Sequence, residues 1–290
     1  MIVSAYRSLV PEKLRLFIYS SFLKKILYYK RNFHILSKAF LAYRFNAFAD
    51  TELFGTLKFI GKYGLRSCPG DFSLKYDDYS AEVYRDEFPY VLHYGKKLYF
   101  PSSFTDSAVK KLYKSLVVEQ DVESAHRYSL DDSDFENSIM FDIGAAEGIL
   151  TLEKIDKIKS AYLVECEAEF VDALKKTFEP YQSKVQIVYK YIDQHDSDNT
   201  ISLDTLGKDI KGEKVFVKMD IEGYEKKALL GGKNFLSNNN CIAAVCTYHD
   251  PSHPKEIKDI FEDLGYTATP SKGYLYWGLR LSKALIRAKK

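Results

Sequence analysis

Short apolar runs alternate with helix-periodic stretches through the second half of the chain, which is the pattern of a parallel sheet covered by helices. Ile139-Met140-Phe141 opens a strand, Gly144 makes a tight turn, and a helix-compatible run extends from Ile149 to Lys157. Ala161 to Glu165 reads as a second strand and Lys184 to Tyr189 as a third. Val215 to Met219 reads as a fourth, running into the turn Asp220-Ile221-Glu222-Gly223, and Cys241 to His249 as a fifth. Between them, Glu167 to Phe178 forms a helix with Phe170, Leu174 and Phe178 inward, stopped by Pro180. The polar run Gln194 to Thr200 is a loop, and Leu203 to Asp209 a short helix. Further helices cover Gly223 to Gly231 and His253 to Leu264. Tyr266 to Thr269 and Tyr274 to Leu279 are expected to pair around Pro270-Ser271-Lys272-Gly273, leaving Lys283 to Lys290 as a solvated basic end.

The first half is patterned differently. Leu14, Phe17, Ile18, Phe22 and Ile26 recur at helical spacing behind Pro11-Glu12, a helix start. Gly55, Gly61, Gly64, Pro69 and Gly70 mark a boundary or loop series. Tyr90 to His93 and Lys97 to Phe100 flank Tyr94-Gly95-Lys96 as a β-hairpin, and Asp106 to Gln120 is a helix with Val109, Leu112 and Leu116 on its apolar face. The expected division is an N-terminal extension over residues 1–135 and an α/β domain over 136–290.

Composition changes this picture in one respect. Of 290 residues, 46% are hydrophobic and 28% charged, as in a globular protein, and the net charge is only +2. Yet residues 1–49 hold nine bases (Arg7, Lys13, Arg15, Lys24, Lys25, Lys30, Arg31, Lys38, Arg44) against Glu12 alone, +8, which leaves −6 for the rest. Residues 6–48 therefore read either as an amphipathic helical arm on an anionic membrane surface or as an arm packed on its own domain or a partner subunit. No secretory signal is visible, and no run approaches the roughly 18 apolar residues of a membrane span. Cys68, Cys166, Cys241 and Cys246 show no paired spacing, and Cys241 and Cys246 fall on opposite faces of one strand. Reduced, mostly buried thiols and a cytoplasmic location follow, peripheral to the membrane if the arm docks there. No nucleic-acid partner is expected, and oligomeric state is not legible.

The candidate chemistry lies at the carboxyl ends of the strands, where ligands bind open α/β sheets. Asp142, Gly144 and Gly148 form D-x-G-x-x-x-G rather than the G-x-G-x-x-G of a dinucleotide site. A carboxylate before the first glycine repels a pyrophosphate and suits a cation, which favours S-adenosylmethionine over NAD. Asp142 is then expected to hold the cofactor's amino group, and Gly144 and Ala145 to present backbone to its methionine portion. The helix opening near Gly148 offers free N–H groups. Glu165, closing the second strand, is placed for both ribose hydroxyls, and Asp193 lies where such folds contact adenine. Asp220, Glu222 and His249 are the candidate catalytic groups for removing a proton from an attacking hydroxyl. No metal ligand is assigned. Two carboxylates and a histidine can hold a divalent ion, but spacing does not fix whether they converge.

Four blocks together resemble the FkbM-type methyltransferases: Phe141-Asp142-Ile143-Gly144-Ala145, Ile201-Ser202-Leu203-Asp204-Thr205-Leu206, Lys218-Met219-Asp220-Ile221-Glu222-Gly223-Tyr224-Glu225, and Tyr248-His249. The resemblance spans roughly 138–279. It implies a class I, Rossmann-like, doubly wound seven-stranded sheet, S-adenosylmethionine as cofactor, and O-methylation of a small-molecule or glycan hydroxyl. It also implies that Ala125-His126-Arg127-Tyr128 edges a lid near the cofactor, where the residues alone suggest a solvated cap. An NAD-dependent oxidoreductase and a non-catalytic scaffold are the alternatives. The missing middle glycine and Asp142 oppose the first, and the acids at strand ends oppose the second.

Overall fold

The structure is a computed structural model, and it describes residues 24–45 and 51–290. The helix expected behind Pro11-Glu12 lies largely outside the described residues. Within them, α1 spans Lys24–Phe45 and α2 Thr51–Tyr63. A three-stranded antiparallel sheet follows, β1 (Tyr84–Arg85), β2 (Pro89–His93) and β3 (Lys96–Tyr99), then α3 (Asp106–Glu119). The chain continues through β4 (Ile139–Ile143), α4 (Ile149–Lys154), β5 (Ser160–Glu165), α5 (Ala168–Thr177) and β6 (Val185–Tyr189). Next come β7 (Tyr191–Ile192), β8 (Thr200–Ile201), α6 (Leu203–Leu206), β9 (Lys214–Met219), α7 (Glu225–Leu230), α8 (Lys233–Asn238) and β10 (Asn240–Cys246). It closes with α9 (His253–Asp263), β11 (Thr267–Pro270), β12 (Leu275–Trp277), β13 (Arg280–Ser282) and β14 (Leu285–Lys289).

The main sheet has seven strands in the order β11-β14-β10-β9-β4-β5-β6. β10, β9, β4, β5 and β6 run parallel, and β14 is antiparallel to both of its neighbours. From β4 the chain winds outward to β5 and β6, then returns to β9 on the other side of β4. The switch in strand order thus falls between β4 and β9, the place where such sheets bind ligands. Alternation along the strands feeds two cores. Ile139, Phe141 and Ile143 join Val215, Val217 and Met219 on one face, while Met140 and Phe216 enter the other. Cys241 and Cys246 divide between these same two cores, as a five-residue separation on one strand requires, and all four cysteines are unpaired.

Three expectations need correction. Lys283–Lys290 is no solvated end: β14 is an inner strand pairing with both β10 and β11, and it buries Leu285, Ile286 and Ala288. β11 accordingly pairs with β14 rather than with the 274–279 segment, whose β12 pairs with β13. Gly55 and Gly61 lie inside α2, not in a loop. A Cβ at Gly61 would stand 2.7 Å from Tyr43 Cβ and 2.8 Å from the Ala39 carbonyl, so this glycine permits close crossing of α1 and α2. The 194–200 loop is framed by the parallel pair β7 and β8. The β2–β3 hairpin and α3 stand as expected. Cys68, Val91, Leu98, Phe100 and Val109 share one core with Met140, Leu150 and Leu163, so the segment before the sheet is packed continuously onto it.

Candidate functional site

Glycine is required at position 144 by the packing around it. Its φ is +72°, and a Cβ there would lie 2.0 Å from the Asp220 carbonyl oxygen. The turn is pinned to the tip of β5 by Glu165. Its Oε2 accepts from the Ala146 N–H (2.8 Å), and Oε1 accepts from Cys166 (2.7 Å) and Glu167 (2.9 Å). Gly148, at φ +70°, caps the N-terminus of α4.

Register explains Asp142. It pairs across the ladder with Lys218 on β9, and both side chains project from the same face. Lys218 Nζ lies 3.1 Å from Asp142 Oδ1, with both side chains buried, and also donates to the Gly144 carbonyl. Thr151 Oγ1 donates to Asp142 Oδ2 at 2.7 Å. Burial pushes the Asp142 carboxyl up, against the Lys218 charge and the Thr151 bond. Lys218, which the sequence already suggests should point to a neighbouring carboxylate of the site, thus supplies a cation beside Asp142 from within the protein.

A cavity of about 670 Å³ opens above these strand ends. Asp142, Gly144, Ala145, Glu165, Asp193, Asp220 and Glu222 all line it, whereas Gly148 and His249 do not. Glu147 lines it too and was not singled out by the sequence pattern, where it stands among spacer positions. It is 3% exposed, and burial pushes it to about 7, with Glu165 and Asp142 adding to the rise and Lys218 opposing it.

Beyond Met219 the chain leaves the sheet, and Glu222 adopts φ 52°. Asp220 and Glu222 therefore do not share an extended face. Asp220 turns inward and accepts from the hydroxyls of Tyr128 (3.1 Å) and Tyr248 (3.0 Å). Burial alone would raise its pKa, but His126, Lys218, His249 and the Tyr248 bond outweigh it and hold the carboxyl below its ordinary range. The Glu222 side chain is 75% exposed, yet its Oε2 lies 3.5 Å from His249 Nε2, and Asp220 Oδ1 lies 3.6 Å from the same nitrogen. The acid in the first turn of α7 is Glu225, not Glu222. Fully buried, Glu225 accepts from the Ile221 and Gly223 N–H groups (3.0 and 3.4 Å) and lies 2.8 Å from His249 Nδ1. It closes the turn and orients the imidazole. Burial lowers the His249 pKa, and the bond to Glu225 with the charges of Asp220 and Glu222 more than reverses this, so the net shift is upward.

His126 is not a solvated cap. It is 2% exposed, with Nε2 3.8 Å from Asp220 Oδ2 and 3.6 Å from Cys246 Sγ. Among the described residues, two groups bring ligand-type atoms within 4.8 Å of one another: His126 with Asp220 and Cys246, and Asp220 with Glu225 and His249.

Compared with known proteins, residues 101–268 match the Methyltransferase FkbM domain. Among solved structures, an FkbM methyltransferase from Methylobacillus flagellatus is 17% identical with a TM-score of 0.43, covering 64% of this chain and 55% of its own. The methyltransferase domain of METTL16 is 12% identical with a TM-score of 0.44, over 68% of this chain and 73% of its own. M. capricolum TrmK, solved with S-adenosyl-homocysteine, is 13% identical with a TM-score of 0.39, over 55% and 65% respectively. The chain thus spans about half the length of the Methylobacillus protein. No curated protein matches.

Proposed function

We propose, from the premise that the chain belongs to the FkbM methyltransferase family, that it is an S-adenosylmethionine-dependent O-methyltransferase acting on a hydroxyl of a sugar or natural product. One observation carries the reading: acids from three adjacent strand ends, Asp142, Glu165 and Asp220, line a single cavity. At about 670 Å³ it lies in the range of small-molecule sites and accommodates an adenosyl group.

The residues fit that cofactor. Glu165 has three backbone donors on its two oxygens, and a carboxylate accepts about four hydrogen bonds, so capacity remains for the ribose. Gly144, Ala145 and Asp193 line the cavity, the first two assigned to the methionine portion and Asp193 to adenine. Asp142 is placed for the amino group, its orientation fixed by Thr151 and Lys218. When bound, S-adenosylmethionine supplies an electrophilic methyl group, which leaves the protein to orient the acceptor oxygen and take its proton. Good alignment alone contributes roughly 7–11 kcal/mol and a base about 100- to 10,000-fold. Of the groups assigned to the proton, Asp220 and Glu222 line the cavity, and His249 stands behind them with Nε2 3.6 and 3.5 Å from their oxygens. The test is calorimetry with S-adenosylhomocysteine. We expect micromolar binding, abolished by Glu165→Ala and by Asp142→Asn. Unchanged binding in both variants ends the proposal. A methyl-transfer assay on lysate glycans then separates an enzyme from a scaffold.

We further propose that α1 meets an anionic membrane surface. Ile35, Ala39 and Ala42 pack on α2, while Ile26, Tyr29, Phe33 and Phe40 line the opposite face and are exposed, Phe33 by 72%. Six bases and no acid share the helix. No helix among the described residues is long and apolar enough to cross a membrane, so the contact proposed is peripheral.

A further inference from the structure

The geometry around His249 points to a divalent-cation site, with His249 Nε2 and Asp220 Oδ1 as fixed ligands and Glu222 as the third. His249 Nε2 is buried, with the side chain 3% exposed, and has no hydrogen-bond partner. An imidazole nitrogen in that position is costly unless something occupies its lone pair. Two carboxylate oxygens flank it at 3.5 and 3.6 Å, too far for good hydrogen bonds. Such separations are those of neighbouring ligands that each lie about 2 Å from one ion.

The other ring nitrogen supports this assignment. Nδ1 faces Glu225 at 2.8 Å, and Glu225 is itself held by two backbone N–H groups of the Asp220–Gly223 turn. A carboxylate bonded to one imidazole nitrogen leaves the other as a ligand and fixes the ring, as in many protein metal sites. Asp220 and His249 belong to a group, with Glu225, whose ligand-type atoms lie within 4.8 Å of one another, and Glu222 stands outside that group. Glu222 lines the cavity, and its exposed side chain already brings Oε2 to 3.5 Å from His249 Nε2. One nitrogen with two carboxylate oxygens suits Mn²⁺ or a similar borderline ion better than Ca²⁺, which takes an all-oxygen set. The second candidate group is less suitable: the Cys246 thiol is pushed well above its ordinary range by burial, whereas a thiol must ionise to bind a metal. Because Asp220 and Glu222 line the cavity, the ion would present its open positions to an acceptor hydroxyl, a role that rests on the methyltransferase reading. Binding of the ion itself does not.

Titrating the metal-free full chain with Mn²⁺, followed by calorimetry and by loss of the free-ion electron paramagnetic resonance signal, tests the site. One ion per chain is expected. His249→Gln should lose it, and the surface variant Glu222→Gln should weaken it by at least the roughly tenfold that removal of a ligand's hydrogen-bond partner costs elsewhere. No saturable binding by the wild-type chain overturns the proposal. So does equal affinity in both variants, which would put the ion elsewhere. S-adenosylhomocysteine binding measured on the same samples separates the two readings: cofactor binding without Mn²⁺ binding sinks only the ion, and the converse sinks only the cofactor assignment.

Discussion

Glu147 is a buried carboxylate whose ionisation would couple the proposed cofactor binding to pH. In the free protein burial raises it from the usual 4.5 to about 7. A raised carboxylate pKa stabilises the fold at low pH, and that contribution is lost as pH rises from about 4.5 through 7. A cationic ligand in the cavity favours the ionised form. Cofactor affinity should therefore tighten by up to about tenfold per pH unit below 7, level off above it, and release a proton on binding near pH 6. Calorimetry in buffers of different ionisation heat reads that proton directly. Glu147→Gln should remove both effects, and their persistence in that variant would assign them to another group. The sequence pattern marked Asp142, Gly144 and Glu165 because their spacing is fixed by strand and turn geometry. Glu147 sits among the variable positions of that pattern, and its depth depends on packing that no spacing encodes. Glu225 escaped for a similar reason. An acid at the start of a helix is ordinary, and only the fold reveals that it holds both the Asp220–Gly223 turn and His249. Parts of the resemblance motifs proved structural: Ser202 caps α6, and Asp204 accepts from the Phe235 N–H at 2.7 Å.

At the level of elements, the parallel strands were legible because each is a short apolar run, and most are followed by a helix. β14 was not. Leu285-Ile286-Arg287-Ala288 is brief, basic-flanked and terminal, and its partners on β10 and β11 are distant in sequence. Once inserted, it stands between them, and its loss would detach β11 from the sheet. Ile286 is 1% exposed, so Ile286→Ala should cost about 2–5 kcal/mol, measured by urea unfolding. Removing residues 284–290 should abolish the cooperative transition, whereas removing the exposed Lys290 alone should leave it unchanged. A truncated chain that still unfolds cooperatively at the wild-type midpoint would show β14 to be dispensable.

Across the whole molecule, charge and shape connect the N-terminal helices to the acidic cluster. The first 49 residues of the sequence carry +8 and the remainder −6, and α1, the described helix of that segment, has six bases and no acid. The β12–β13 hairpin spans the two. Tyr276 hydrogen-bonds to Asn32 of α1, while the ring of Trp277, next along the strand, lies edge-on to His249 at 6.1 Å. Arg280 donates to the His249 carbonyl at 2.7 Å. A membrane contact through α1 would thus be one hairpin away from the groups assigned to the acceptor. Bases near an anionic surface contribute about 1 kcal/mol each, and burying an exposed aromatic side chain about 1.5–3 kcal/mol. Phe33 and Phe40, with the bases of α1 that lie beside them, are the expected contacts. The full chain should co-sediment with phosphatidylserine vesicles, weakly with phosphatidylcholine alone, and less as salt rises. Phe33→Asp with Phe40→Asp should abolish sedimentation while leaving cofactor binding intact, because both side chains point away from the α2 contact. Equal sedimentation of that variant removes the membrane reading. A wild-type chain that ignores vesicles but dimerises through the same face would assign α1 to a second copy of the protein instead.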